Sequence, residues 1–238
     1  MTLQNKRILI IGGTSGFGAE VARQALQKNA TVVVVGHHQE RVTTFVQKTK
    51  GDGQLSGKAL DAQNKDQLAT FFANEGSFDH VISTLGGAMG GGFLTSPLAL
   101  IRKTVEDKFF ANLQVAQIAY RHVNAHGSLI FTSGSGGHPS DASGAIIGNQ
   151  AINTMVAGLA VELAPNIRVN AVSPTWTPTG LWRDLTPSQI QEQKAAFAKN
   201  VPLKRVGTVA EVAAAYLYSM ENDFVTGQVL RVDGGVDL

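Results

Sequence analysis

Short apolar, β-branched runs alternate with helix-period segments along this whole chain, and that alternation restricts the fold more than any other feature. "RILII" (Arg7–Ile11) opens the series and "TVVVV" (Thr31–Val35) follows. "LSGKALD", "DHVISTL" (Asp79–Leu85), "SLIFTS", "NIRVNAV" (Asn166–Val172) and "QVLRV" complete seven strands. The clearest runs are continuously apolar, as strands buried on both faces must be. Between them lie helical segments such as "AEVARQALQKNA" and "NKDQLATFFAN", two helices over roughly 97–123, and two more before the last strand. The pattern predicts an α/β protein: a seven-stranded parallel sheet with helices on both faces. No second core, long linker or fixed-period repeat interrupts residues 1–238, so one domain is expected. A chain of 238 residues is long enough to bury a sizeable core.

The segment "ASGAIIGNQAINTMVAGLAV" (Ala142–Val161) has the length of a membrane span and no ionisable side chain. Asn149, Gln150 and Asn153 sit mid-segment, where amides in hydrocarbon are costly. A buried helix is the expectation, and no membrane partner. Hydrophobic residues at 43% and charged residues at 16% mark a soluble globular protein. A formal charge of +2 without a Lys/Arg block argues against nucleic-acid binding. The absence of cysteine excludes disulfides and thiolate chemistry and suits a reducing cytoplasm. "MTLQNKRILIIGG" lacks the features of a signal peptide, so a cytoplasmic protein is expected.

After the first strand, "GGTSGFG" places Gly12, Gly16 and Gly18 before a helix. Such glycines permit a tight turn, close backbone approach to a pyrophosphate and helix–strand packing, while the helix N-terminus offers N–H groups to phosphate. The GxxxGxG spacing is weak alone and gains force from its strand–turn–helix setting. A dinucleotide fold selecting NAD carries an acid at the end of the second strand. Here Gly36, His37 and His38 stand there, with Arg41 close behind. The basic neighbourhood suits a 2′-phosphate and favours NADP(H) over NAD(H). The competing reading makes the histidines ordinary loop residues and Glu40 the ribose ligand.

These motifs continue along the chain, which resembles the short-chain dehydrogenase/reductase family from Lys6 to the C-terminus. "IGGTSGFG" is similar to the family's TGxxxGxG, with Ile11 in place of threonine. Asp61 in "KALDAQ" matches the acid that faces adenine. "ISTLGG" stands for NNAG, with Ser83 and Thr84 replacing asparagines. Asn112 matches the helix asparagine. "LAVELAPNIRVNAVSPTWTPTG" matches LAxELAPxxIRVNAVxPGxxxT, with Thr175 in place of the glycine and Thr179 kept, and "FVTGQVLRVDGG" matches the C-terminal signature. The resemblance implies a single-domain Rossmann fold and a small-molecule oxidoreductase. It assigns cofactor contacts to Gly12, Thr14, Ser15, Gly16, Phe17, Gly18, His37, His38, Arg41, Asp61, Ala62, Leu85, Gly86, Asn149, Pro174, Thr177 and Thr179. It implies a dimer or tetramer formed through the helices holding Asn112 and Asn149. It also implies a substrate-covering region over about 176–203, where Trp176, Leu181 and Trp182 suggest a partly apolar ligand.

One departure is severe. The family's YxxxK lysine lies thirteen residues before the glutamate of "ELAP"; counting back from Glu162 reaches Asn149, and four earlier stands Ala145. No shift of register restores the pair. The only tyrosines are Tyr120, Tyr216 and Tyr218, and no lysine lies between Lys108 and Lys194. Carbonyl reduction needs a hydride and a proton; Ala145 has no proton, and Asn149 can hydrogen-bond but cannot tune a pKa by charge. Losing a general acid costs about 10²–10⁴ in rate. Ser133 and Ser135 flank Gly134, which occupies the catalytic serine's register; Ser133 is the better candidate for polarising a substrate oxygen. The catalytic set expected is Ser133, Asn149 and Asn112. His138 is a weaker proton-donor candidate, more often a solvated loop residue, with Asp141 or Ser143 as an N-cap. His122 and His126 are spaced i, i+4 as a metal pair would be, but no HExxH glutamate accompanies them and no metal is expected. Three functions remain open: an atypical NADP(H)-dependent oxidoreductase, a silent NADP(H)-binding protein, or a redox-neutral dehydratase or isomerase.

Overall fold

A computed structural model describes residues 2–182 and 184–238. The side chain of Leu181, expected beside Trp176 and Trp182, lies outside the described residues. The strands are β1 (Arg7–Ile11), β2 (Thr31–Gly36), β3 (Gln54–Ala59), β4 (Phe78–Ser83), β5 (Val123–Thr132), β6 (Ile167–Pro174) and β7 (Val229–Val232). They form one seven-stranded sheet in the order β3-β2-β1-β4-β5-β6-β7. Every neighbouring pair is parallel. The order reverses direction between β1 and β4, the crevice where open sheets of this kind bind ligands.

The helices are α1 (Gly16–Gln27), α2 (Gln39–Lys48), α3 (Lys65–Glu75), α4 (Leu98–Val105), α5 (Ala111–Ala119), α6 (Ser143–Glu162), α7 (Pro187–Asn200) and α8 (Val209–Glu221). The period of two along β1 divides the core. Leu9 and Ile11 point to one face, joined by Phe72, Val115, Ile152 and Val156 from α3, α5 and α6. Ile8 and Ile10 point to the other, joined by Val21, Leu26, Val212 and Tyr216 from α1 and α8. Each such aliphatic side chain, buried completely, contributes about 1.5–3 kcal/mol. Helix α6, charge-free along its middle, buries Ile152, Val156 and Ala160 in the core on the sheet and Gly144 and Gly148 against α4 and the turn after it.

Two local readings of the sequence change. The two helices expected over 97–123 form one continuous rod, because a π turn (Glu106–Phe110) joins α4 to α5 and a 3₁₀ turn (Tyr120–His122) extends it. The i, i+4 histidines do not share a helix face. His122 ends the 3₁₀ turn and stacks on Phe72 at 5.1 Å, whereas His126 sits in β5 with φ +67°. Among the described residues no cluster of three metal-ligating side chains occurs.

Candidate active site

A cleft of about 390 Å³ opens at the C-terminal ends of β1, β4, β5 and β6. Its floor is the glycine turn. Gly12 and Gly16 hold φ of +82° and +53°, which side chains rarely adopt. A Cβ on Gly18 would lie 2.5 Å from the Gly12 carbonyl oxygen, so only glycine lets α1 pack this close to β1. Ser15 precedes α1 without a side-chain cap, and the first turn carries no acid. The helix N-terminus therefore keeps its N–H groups for an anion. Of the residues expected to contact a cofactor, Ser15, Phe17, Leu85, Gly86, Pro174, Thr177 and Thr179 line the cleft.

Thr14, His37, His38, Arg41, Asp61 and Ala62, also expected to contact a cofactor, do not line this cleft. Thr14 packs beneath Gly36 and shares a second depression with Glu40 and Arg41. His37 and His38 are exposed beyond β2, their rings edge-to-face at 4.8 Å. Arg41 is exposed and makes no ion pair among the described residues. Ala62 is buried, and Asp61 is half-buried with Oδ1 accepting from the Gln63 N–H at 2.9 Å.

Ala145 and Asn149 both face the cleft from α6. Asn149 Nδ2 donates to the Gly134 carbonyl at 3.2 Å, while Oδ1 is buried with no partner. Thr175 Oγ1, across the same cleft, is likewise buried and unpaired. Orphaned buried polar atoms are costly and rare in native proteins. Asn149 Oδ1 needs a donor such as a hydroxyl or amide N–H, and Thr175 Oγ1 can take a donor or an acceptor; a nicotinamide dinucleotide carries groups of both kinds.

Ser133 is buried in the cleft wall and donates to the Asn149 carbonyl at 3.2 Å. That bond ties β5 to α6 and leaves the hydroxyl oxygen as an acceptor. Ser135 is paired with Ser173 at 2.6 Å. Asn112 does not line the cleft among the described residues. Its amide accepts from Ser83 Oγ at 2.6 Å and donates to the Lys108 carbonyl at 2.6 Å, pinning the π turn to β4. His138 is exposed outside the cleft and bonds within its own loop, to Ser140 at 2.7 Å. Neither Asp141 nor Ser143 caps α6: Asp141 accepts from the His138 N–H, and Ser143 donates to the Gly91 carbonyl.

Three cleft residues escaped the sequence reading of the site. Phe197 stacks on Trp176 at 5.5 Å, and Trp176 meets Trp182 at 5.8 Å, building an apolar wall from α7 and the turn before it. Thr175, noted only as a departure from the motif, contributes the unpaired hydroxyl. Lys108, on the π turn, is the sole ionisable side chain among the described residues lining the cleft. It is 7% exposed, and burial pulls its pKa down from 10.5 to about 8. Its Nζ donates to the Gly87 carbonyl at 3.2 Å.

A parallel sheet of this order with an anion-ready glycine turn at its switch point is the architecture of the dinucleotide-binding α/β fold. A family model described as enoyl-(acyl carrier protein) reductase matches residues 12–237. Short-chain dehydrogenase/reductase fsr5 of Gibberella fujikuroi is 33% identical, over 98% of this chain and 95% of its own. A small-chain dehydrogenase solved in complex with NADPH is 28% identical, with a TM-score of 0.83 over 98% of this chain and 99% of that one. The MalC reductase/Diels-Alderase of Malbranchea aurantiaca is 25% identical, with a TM-score of 0.85 over 98% and 96%. The chain belongs to the short-chain dehydrogenase/reductase family, whose members use nicotinamide cofactors.

Proposed function

We propose that the protein is an NADP(H)-dependent oxidoreductase interconverting a carbonyl and an alcohol on a partly apolar small molecule, with an atypical active site. The observation that carries this reading is the pair of orphaned polar groups, the Asn149 Oδ1 acceptor and the Thr175 hydroxyl, in a cleft whose glycine turn is ready for phosphate. A bound nicotinamide supplies or accepts the hydride. Gly12, Ser15, Gly16 and Phe17 would receive the pyrophosphate and Asn149 would accept from a ribose hydroxyl, with Thr179 packed beside Gly16. Trp176, Trp182 and Phe197, in the proposed covering region of about 176–203, exclude water from the substrate side. The test is turnover of a carbonyl panel with saturating NADPH. No rate above that of a cofactor-binding variant sinks the reading.

The preference for NADP(H) rests on His37, His38 and the unpaired Arg41. Thermal shift should show NADPH stabilising the protein more than NADH, and Arg41→Ala should cut NADPH affinity about 10-fold with NADH little changed. That is the loss of one charge-assisted phosphate contact. Equal losses for both cofactors would return the ribose to Glu40. Ile147 and Val161 on α6 and Phe110 beside α5 are exposed and apolar, which supports a homo-oligomer through these helices. Light scattering at micromolar concentration should report a dimer or tetramer; a monomer contradicts it.

A redox-neutral reaction in the same cleft is the second reading. It is favoured by Ala145, which leaves the cleft-facing side of α6 without a general acid, and by likeness to a protein named both reductase and Diels-Alderase.

A further inference from the structure

Resting on the oxidoreductase reading, we propose that Lys108, reaching the cleft from the π turn rather than from α6, is the proton donor and acceptor of this active site. Its path across the helix is built into the sequence. Gly148 leaves a gap on α6 three residues after Ala145 and one before Asn149. A Cβ at 148 would lie 2.9 Å from Lys108 Cβ and 3.1 Å from Cδ, so any side chain there would block the lysine. Beyond that gap the chain bends into the glycine loop after β4, where Nζ lies 3.3 Å from where a Cβ on Gly86 would be.

The lysine is held, not loose. Asn112 grips its carbonyl at 2.6 Å, and a π turn, a distortion frequent at functional sites, aims it inward. Nζ has one protein partner, the Gly87 carbonyl, and its other two donors have none among the described residues. A buried ammonium with two free donors is costly unless something in the cleft receives them. Among the described residues no second ionisable side chain lines the cleft with it: Gly148 of α6 and Gly86 and Gly87 of the glycine loop are the groups set against its side chain. Burial alone places its titration near pH 8, the range where an acid–base catalyst works in both directions.

In the reducing direction a hydride and its electron pair leave reduced nicotinamide and bond to the substrate carbonyl carbon. The C=O π pair moves to oxygen, and an N–H bond of Lys108 breaks to protonate that oxygen. Lys108 is left as a neutral amine and takes its next proton from water entering the cleft. Oxidation of the alcohol reverses each transfer, with the free amine as base.

Two measurements test this. Trace labelling with acetic anhydride across pH 6–10, read by peptide mass spectrometry, should give Lys108 an apparent pKa near 8, and NADPH should slow its acetylation. Lys108→Met should lower NADPH-dependent reduction about 10²–10⁴-fold while NADPH affinity by fluorescence stays within about 3-fold of wild type. Lys108→Arg should not restore the rate, because guanidinium keeps its proton. Wild-type reduction should fall, and alcohol oxidation rise, as pH passes about 8. Lys108→Met retaining a third of the wild-type rate, or Lys108 labelling like a surface lysine with or without NADPH, overturns the assignment and leaves the oxidoreductase reading standing. A wild type that binds NADPH yet reduces no carbonyl removes both.

Discussion

Gly16→Asp should bind NADPH at least about 100-fold more weakly than wild type while remaining folded. Two effects combine. Gly16 holds φ +53°, where a residue with a Cβ meets a cost of roughly 1 kcal/mol. The larger effect is charge: a carboxylate about 4 Å from a phosphate repels it by about 4 kcal/mol at the effective dielectric of a protein surface, roughly three decades of affinity. Stability should suffer little, because Gly16 is the first residue of α1, whose first turn has no acid. An aspartate there satisfies the helix dipole and recovers about 0.3–1 kcal/mol. In effect the side chain takes the phosphate's place. Gly16→Ala separates the terms. Its Cβ would stand 3.5 Å from Thr179 Cβ, an ordinary contact, so it carries only the backbone cost and should lose less than about 10-fold. Titration of intrinsic fluorescence with NADPH decides; an Asp variant within 3-fold of wild type means that the turn does not hold the pyrophosphate.

The sheet was readable because its signals are local. Every strand run in the sequence is a strand in the structure, most plainly "RILII" and "TVVVV", since continuous β-branched residues bounded by glycine or polar turns have few other uses. The glycine turn was readable for the same reason. What was not readable depends on which helix passes which. The count from Glu162 reaches Ala145 and Asn149, and both line the cleft, but that motif lies wholly on α6 and the loop before it. The group that fills the space comes from a different helix. "KTVEDKFFANLQ" looks like a surface helix with ordinary lysines, and propensity alone does not distinguish Lys103 from Lys108. The spacing does. Thr104, Lys108, Asn112, Val115 and Ala119 form the buried stripe of the rod, so Lys108 occupies a core position four residues before the asparagine. Gly144 and Gly148, also four apart, are the matching groove on α6. A charge on an apolar stripe facing a glycine groove is a signal that periodicity could have supplied. By contrast, the unpaired states of Asn149 Oδ1 and Thr175 Oγ1 follow from distances between β5, β6 and α6, and nothing local in the sequence encodes them.

Lys108→Met should make the protein more stable at pH 7, by about 1–3 kcal/mol, although it removes the proposed proton donor. The sign follows from linkage. Lys108 titrates near 8 in the folded protein against 10.5 when exposed, because burial disfavours its ammonium. Below about pH 8 both states hold the proton, and the folded state bears the whole cost of the buried charge. Between about 8 and 10.5 the unfolded chain binds one more proton than the folded one, so wild-type stability rises with pH across that window. Above it the cost is gone. At 1.36 kcal/mol per pH unit the gap corresponds to about 3 kcal/mol, an upper figure because the Gly87 carbonyl loses its donor in the variant. Methionine has nearly the same length and fills the groove over Gly148 without a charge. Urea denaturation of both proteins should therefore show the variant ahead at pH 7 and its lead shrinking by most of its value at pH 10. The cost comes from burial whatever the lysine does, and keeping a charge at such a cost is the pattern of a residue retained for activity rather than for stability. A variant that is weaker than wild type by the same margin at both pH values would show that Lys108 is a structural residue whose charge costs nothing.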